Sequence, residues 1–249
     1  SLPEYGLTAR AGKDPGFYTP LHVLAQYCVD NGLDPADVID ATPGFLQDFL
    51  DTNADAPTDV YFMYMVNDAY PAKDGTGYLI DGCPLANGDE VTLYDLWYSA
   101  YAGSLYTYFA GDSLTANTGE PVSVTLMGTA GMNAAAASPV KGATILASKD
   151  GGAETEVGTT DENGVASLTF DEAGRYTLSA VRKSSWYDSK GNPAIDISRP
   201  YAELTVIEVT YTDAEAVAKA KGELDLGDLS AVKGDLTLPT AGSAGTSIA

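Results

Sequence analysis

Apolar positions recur in two rhythms along this chain, one helical and one of period two. Leu21, Leu24, Ala25 and Cys28 share one helical face, Thr19 can cap the backbone donors ahead of them, Pro20 suits the first helical position and Gly32 can end the helix. A second short helical piece is expected from Asp34-Pro35, with Phe45, Phe49 and Leu50 as apolar anchors. After Asp59 the rhythm changes. The run from Val60 to Val66 is aromatic and apolar throughout, as in a strand covered on both faces. Asn67-Asp68 and Lys73-Asp74-Gly75 mark turns, and Asn87-Gly88-Asp89 precedes a strand from Val91 to Tyr98.

Further on the alternation is clean. Ala166, Leu168 and Phe170 lie on one face of a strand and Tyr176, Leu178 and Ala180 on one face of the next, with Asp171 to Gly174 turning between them. Asp161-Glu162-Asn163-Gly164 forms the preceding turn, and Val122 to Met127, Ala143 to Ala147 and Ala202 to Val209 read as further strands. About seven short strands of this kind suit an immunoglobulin-like sandwich, without its Cys-Trp-Cys core. Thr212-Asp213-Ala214-Glu215 is a capping box that opens an alanine-rich helix to about Leu224, and Asp235 to Leu238 could form a strand.

Composition separates the same regions. Residues Ser1 to Asn117 hold 3 basic against 17 acidic residues and twelve of the sixteen tyrosines, whereas Thr118 to Val209 hold 7 basic against 12 acidic. With the small, polar stretch from Gly111 to Gly119, this places a boundary and an expected protease-sensitive junction near Ala116 to Gly119. Three units follow: 1–117, an α+β module; 118–209, a β-sandwich; and 210–249, too short for its own core, the start of a further domain. The fold class is mainly β with minor α.

The formal charge of −22 repels phosphate backbones and anionic membrane surfaces, which argues against nucleic acid or a membrane as partner. An apolar share of 45% is too high for a disordered acidic tail, and no run of eighteen apolar residues occurs to span a membrane.

Three resemblances enter here. The helix Thr19-Pro20-Leu21-His22-Val23-Leu24, the Gly44-Phe45 element, Tyr64-Met65-Val66-Asn67 and Asn87-Gly88-Asp89-Glu90-Val91 resemble a bacterial domain of unknown function related to the transcobalamin C-terminal domain. That resemblance implies a β-grasp-like module with a helix against a sheet, and a corrinoid-like small molecule as one candidate ligand. Tyr61-Phe62 stands where that family usually has Trp-Tyr. Thr160 to Phe170 with Gly174-Arg175-Tyr176 resembles bacterial immunoglobulin-like repeats, which implies an adhesin or cell-wall protein. Leu224 to Leu229 and Gly234 to Pro239 look like the opening of the atrophied bacterial immunoglobulin-like domain.

Candidate chemistry is sparse. The only histidine, His22, lies off the apolar face of its helix and reads as solvated, so no Ser-His-Asp or Cys-His site is expected, and neither a phosphate loop nor a dinucleotide fingerprint is present. Asp51-Thr52-Asn53-Ala54-Asp55 matches the opening of a calcium loop, with Asp59 as a nearer fourth ligand. Ala56 replaces the loop glycine and Phe62 the closing acid, so the alternative is a solvated acidic loop; no other cofactor is expected. Leu238-Pro239-Thr240-Ala241-Gly242 resembles a sortase signal but lacks the apolar tail behind it. Cys28 and Cys83 are candidates for a disulfide that would close a long loop and stabilise by ~2–4 kcal/mol; the alternative is that Cys28 is a small buried hydrophobe.

Binding is expected in the first module, where tyrosines exceed what a core needs. In the strand from Val91, the residues Val91, Leu93 and Trp97 alternate against Thr92, Tyr94, Leu96 and Tyr98, so one row faces the core. Tyr94, Tyr98 and Tyr101, rimmed by Asp95, form the candidate recognition face; the alternative is that these rings complete a thin core. The expectation is a non-catalytic protein of the bacterial cell surface or cell wall. Its partner would be a surface protein, a glycan or a small molecule.

Overall fold

The computed structural model describes residues 1–41, 44–50, 60–97, 104–130, 135–187, 191, 193–224, 240–242 and 244–247. In the first module, after a 3-10 turn at Leu2–Tyr5, come helix α1 (Pro20–Asp30) and helix α2 (Pro35–Val38). The short strands β1 (Ile39–Asp40) and β2 (Asp48–Phe49) follow, then β3 (Val60–Val66), the hairpin β4 (Ala72–Lys73) and β5 (Thr76–Gly77), and β6 (Val91–Trp97). Gly32, in the left-handed conformation, ends α1 as expected, and the Asp34 carboxylate accepts from the Ala36 backbone N–H at 3.0 Å to open α2.

β3 and β6 pair antiparallel from Val60 opposite Trp97 to Val66 opposite Val91. The expectation of a strand covered on both faces is met. On one face Tyr64, with Phe62, Val66 and Leu93, packs against Leu21, Ala25 and Cys28 of α1. On the other, Met65 and Tyr94 meet Tyr106, with Met63, Tyr70 and Tyr108 around them.

Among the described residues nine strands build the sandwich: β7 (Leu105–Phe109), β8 (Ser113–Asn117), β9 (Pro121–Ala130), β10 (Ser138–Pro139), β11 (Thr144–Lys149), β12 (Glu154–Thr159), β13 (Val165–Thr169), β14 (Gly174–Val181) and β15 (Tyr201–Ile207). In one sheet the long β9 pairs with β7, β10 and β13; the other has the order β12-β11-β14-β15-β8, with β8 parallel to β15. β9 pairs with β13 inside one sheet and β11 with β14 inside the other, the non-consecutive neighbours that result when the chain crosses between the sheets of an immunoglobulin-like sandwich. Leu126, Ile145, Leu168, Leu178 and Leu204 fill the space between the sheets and are fully buried.

The turn before β13 is specified locally. The Asp161 carboxylate accepts backbone N–H groups of Asn163 at 2.8 Å and Val165 at 2.9 Å, which holds its carboxyl below the usual range. Gly164 has φ +71°, and a Cβ there would stand 2.6 Å from the Leu126 carbonyl oxygen. Both the backbone angle and the close approach demand glycine.

Two expectations need correction. β7 and β8 lie before residue 118 but are strands of the sandwich, so the first module ends before Ser104 rather than at Asn117. β8 is an edge strand of alternating half-buried and exposed residues, with Leu114 and Ala116 on the core, and its partner lies some ninety residues ahead. Local composition therefore read it as a linker, and the stretch from Ala116 to Gly119 is no loose junction. The second correction concerns residues 210–249. Helix α3 (Asp213–Glu223) forms with the expected Thr212–Glu215 box, but Lys219 ties it to the sandwich through Glu120 at 2.8 Å, while Ala220 is buried beside Gly242. The suggested strand at Asp235 to Leu238 lies outside the described residues.

Candidate functional site

The structure places Tyr94 in the interior. Its ring is 7% exposed and sits 4.9 Å from that of Tyr106, because β7 of the sandwich covers the second face of the β3-β6 sheet. A recognition face containing Tyr94 is thus not formed; Tyr98 and Tyr101 lie outside the described residues, and Asp95 is exposed. The aromatic surplus of the first module is used at a joint. The Tyr106 hydroxyl donates to the Asp68 carboxylate, which ties β7 to the β3 turn.

Asp51, Asn53, Asp55 and Asp59 also lie outside the described residues, and among the described residues no three His, Cys, Asp or Glu side chains are grouped to hold a metal ion. Cys28 and Cys83 are both buried in the first module's core and are free thiols, contrary to the expected bond. Burial pushes both thiols up, so they stay protonated and pack as small apolar groups.

His22 is buried rather than solvated, and it caps its own helix. Its Nδ1 accepts from the Thr19 backbone N–H at 3.2 Å and lies 2.9 Å from the Thr19 hydroxyl; its Nε2 is 3.9 Å from Asp14. A proton on Nε2 follows from the accepted bond at Nδ1. Burial outweighs Asp14 and pulls the ring's pKa down, which keeps it neutral. Hydroxyl, imidazole and carboxylate stand in the order of a hydrolytic triad, but Thr19 is completely buried, so no carbonyl can reach its hydroxyl. The arrangement is a helix start.

Beside that cap opens a cleft of about 350 Å³ between α1 and the loop before β6, lined by Tyr5, Tyr18, Gln26, Asn87 and Asp89. Tyr18 is 74% exposed, standing edge-on to the His22 ring at 5.7 Å and 80°. Gln26 is oriented by the Tyr5 hydroxyl, which donates to its carbonyl oxygen at 2.8 Å, and by its own donation to Asp30 at 2.7 Å. The loop is fixed in turn. Leu85 N–H donates to the Tyr18 carbonyl at 2.9 Å, and Asp89 accepts from Ala86 N–H at 2.7 Å and Asn67 at 2.8 Å, contacts that lower its pKa. Val23 and Tyr27, one turn apart on the outer face of α1, extend an exposed apolar strip from the cleft. Sequence reasoning missed this face, although its signal was present: Val23 and Tyr27 are apolar at a spacing of four on the side opposite Leu21, Leu24 and Cys28.

A second depression lies between the two modules. The segment from Ile195 to Ser198 runs along β7, with Leu105 N–H donating to Asp196 and Ser198 N–H to Leu105, while Thr107 bonds both the Ser198 carbonyl and hydroxyl. It carries Arg199 and Tyr201 to a groove opposite Leu93 and Tyr94, with adjoining volumes of about 310 and 330 Å³.

No family model matches the chain, and no curated protein matches it. Among solved structures, one chain from a study of T cell specificity and activation by the bacterial superantigen toxic shock syndrome toxin-1 is 10% identical, over 42% of this chain and all of that one, with a TM-score of 0.27. The N-terminal four Ig domains of Dscam1 isoform 4.4 are 13% identical over 60% of this chain and 38% of that one, with a TM-score of 0.23. Among the described residues no helix is long and apolar enough to cross a membrane.

Proposed function

We propose that this chain is a non-catalytic recognition protein of the bacterial cell surface, in which the first module captures a neutral glycan in the α1 cleft and the sandwich carries it. The observation that bears most weight is Tyr18: a large ring set edge-on to His22, exposed over its cleft, with the amides of Gln26 and Asn87 and the Asp89 carboxylate beside it. A sugar offers an apolar C–H face to such a ring and hydroxyls to such amides and carboxylates. Among the described residues no lysine or arginine lines the cleft, which disfavours phosphate, sulfate or carboxylate ligands. The extracellular setting rests on the sequence resemblances to transcobalamin-related and immunoglobulin-like modules of bacterial surface proteins. A corrinoid-like ligand is the weaker reading, because both faces of the β3-β6 sheet are filled and the clefts are near the lower end of the ~300–1,000 Å³ usual for small-molecule sites.

A glycan array probed with the whole chain tests this. Capture of one group of neutral glycans is expected, lost in Tyr18→Ala with the far-ultraviolet spectrum unchanged. Capture by Tyr18→Ala at the same level, or of no glycan by the native chain, would overturn it.

A further inference from the structure

We propose that the groove between the first module and the sandwich is a binding site for an alkylammonium group. Its walls come from two elements that meet only in the folded chain: β6 on one side and the Ser198 to Tyr201 segment on the other. The half-buried Tyr108 lines the groove above Tyr106 and Tyr94, which are themselves buried, with ring centroids 6.0 Å apart for Tyr108 and Tyr106 and 4.9 Å for Tyr106 and Tyr94. Tyr201, 60% exposed, lines it from the sandwich side. Tyrosine faces carry negative charge density, and a desolvated cation against them gains more than an exposed one.

The acids around these rings supply the complementary field. Asp68, which accepts from the Tyr106 hydroxyl, lines the groove together with Glu90 and Asp112. The single cation in the lining, Arg199, is spent on Glu154 and on the Ser179 hydroxyl at 3.2 Å, so it does not neutralise the groove. These carboxylates are set apart rather than clustered, and no described trio is grouped to hold a metal ion. Separated carboxylates beside tyrosine rings suit a diffuse organic cation better than a compact inorganic one. A volume of about 310 Å³ accommodates a trimethylammonium head or the end of a lysine side chain. Inter-module crevices are also where small ligands are commonly held. The site is independent of the α1 cleft, which lies on the other face of the β3-β6 sheet.

The test is calorimetric titration of the whole chain with choline, with Nα-acetyl-lysine methylamide and with 3,3-dimethylbutanol, the neutral analogue of choline. One of the two cations is expected to saturate, and the tighter of them identifies a small quaternary amine or a protein lysine as the source. The neutral alcohol should bind at least about threefold more weakly. Tyr201→Ala should weaken the cation about three- to thirtyfold without changing the melting temperature. Asp112→Asn should weaken it at low salt and matter little at high salt. Saturation by neither cation, equal binding of the alcohol, or full affinity in Tyr201→Ala would overturn the proposal.

Discussion

The sandwich and the first module bury their apolar residues in different ways. In the sandwich, aliphatic side chains from two sheets meet in one continuous core, and Leu126, Leu168 and Leu178 touch no solvent. The first module has a two-stranded sheet with a core on each side. One side is closed by α1 and the other by tyrosines shared with β7 of the neighbouring module. Small sheets are short of burial, and here the second module supplies what the first lacks. The lesson is that an excess of tyrosine in a small domain can mark a joint, while other rings, such as Tyr18 and Tyr27, stay exposed on another face, where the proposed recognition would fall.

The largest effects should separate the two cores. Leu168→Ala opens a cavity between sheets fixed from both sides, and a loss near the upper end of the ~2–5 kcal/mol range for such changes is expected from denaturant unfolding. Leu21→Ala, equally buried on α1, leaves a helix that can shift into the gap, so its loss should fall near the lower end. Equal losses would erase the proposed difference between a rigid and a yielding core.

A smaller effect sits at the helix start. The folded pKa of His22 lies below the ordinary value of 6.5, so between the two the unfolded chain holds one more proton and stability rises with pH. The contribution is fully present above pH ~6.5 and is lost as pH falls towards the folded value. The stability advantage of native protein over His22→Gln should therefore shrink between pH 7 and pH 5, measured by urea unfolding at each pH. An advantage that grows on acidification would mean the ring is charged when folded.

Much of this fold is legible locally. The Thr19-Pro20 start, the Gly32 stop, the unbroken apolar run from Val60 to Val66, the Asp161 to Gly164 turn and the Thr212 box each carry their instruction within a few residues, and each appears where expected. Parallel pairing of β8 with β15 carries no such instruction, because it depends on a strand remote in sequence. The same reason leaves Tyr94 open between surface and core, the second of which the structure shows: period two assigns it to a face, but nothing local says that β7 covers that face. Helical position alone places His22 in solvent. Its ring turns back to the first turn instead of outward, an option open to the third helical residue beside a threonine cap.

If the buried tyrosines hold the modules together while the exposed ones are free to bind, thermal unfolding of Tyr94→Ala beside Tyr18→Ala should separate the two roles. Tyr94→Ala removes a ring from between β6 and β7 and should cost roughly 3 kcal/mol, a drop of about 6–12 °C for a chain of this size. Tyr18→Ala should melt within about 1 °C of the native protein, as expected for an exposed side chain. A native-like melt for Tyr94→Ala, or an equal loss for both variants, would contradict the account.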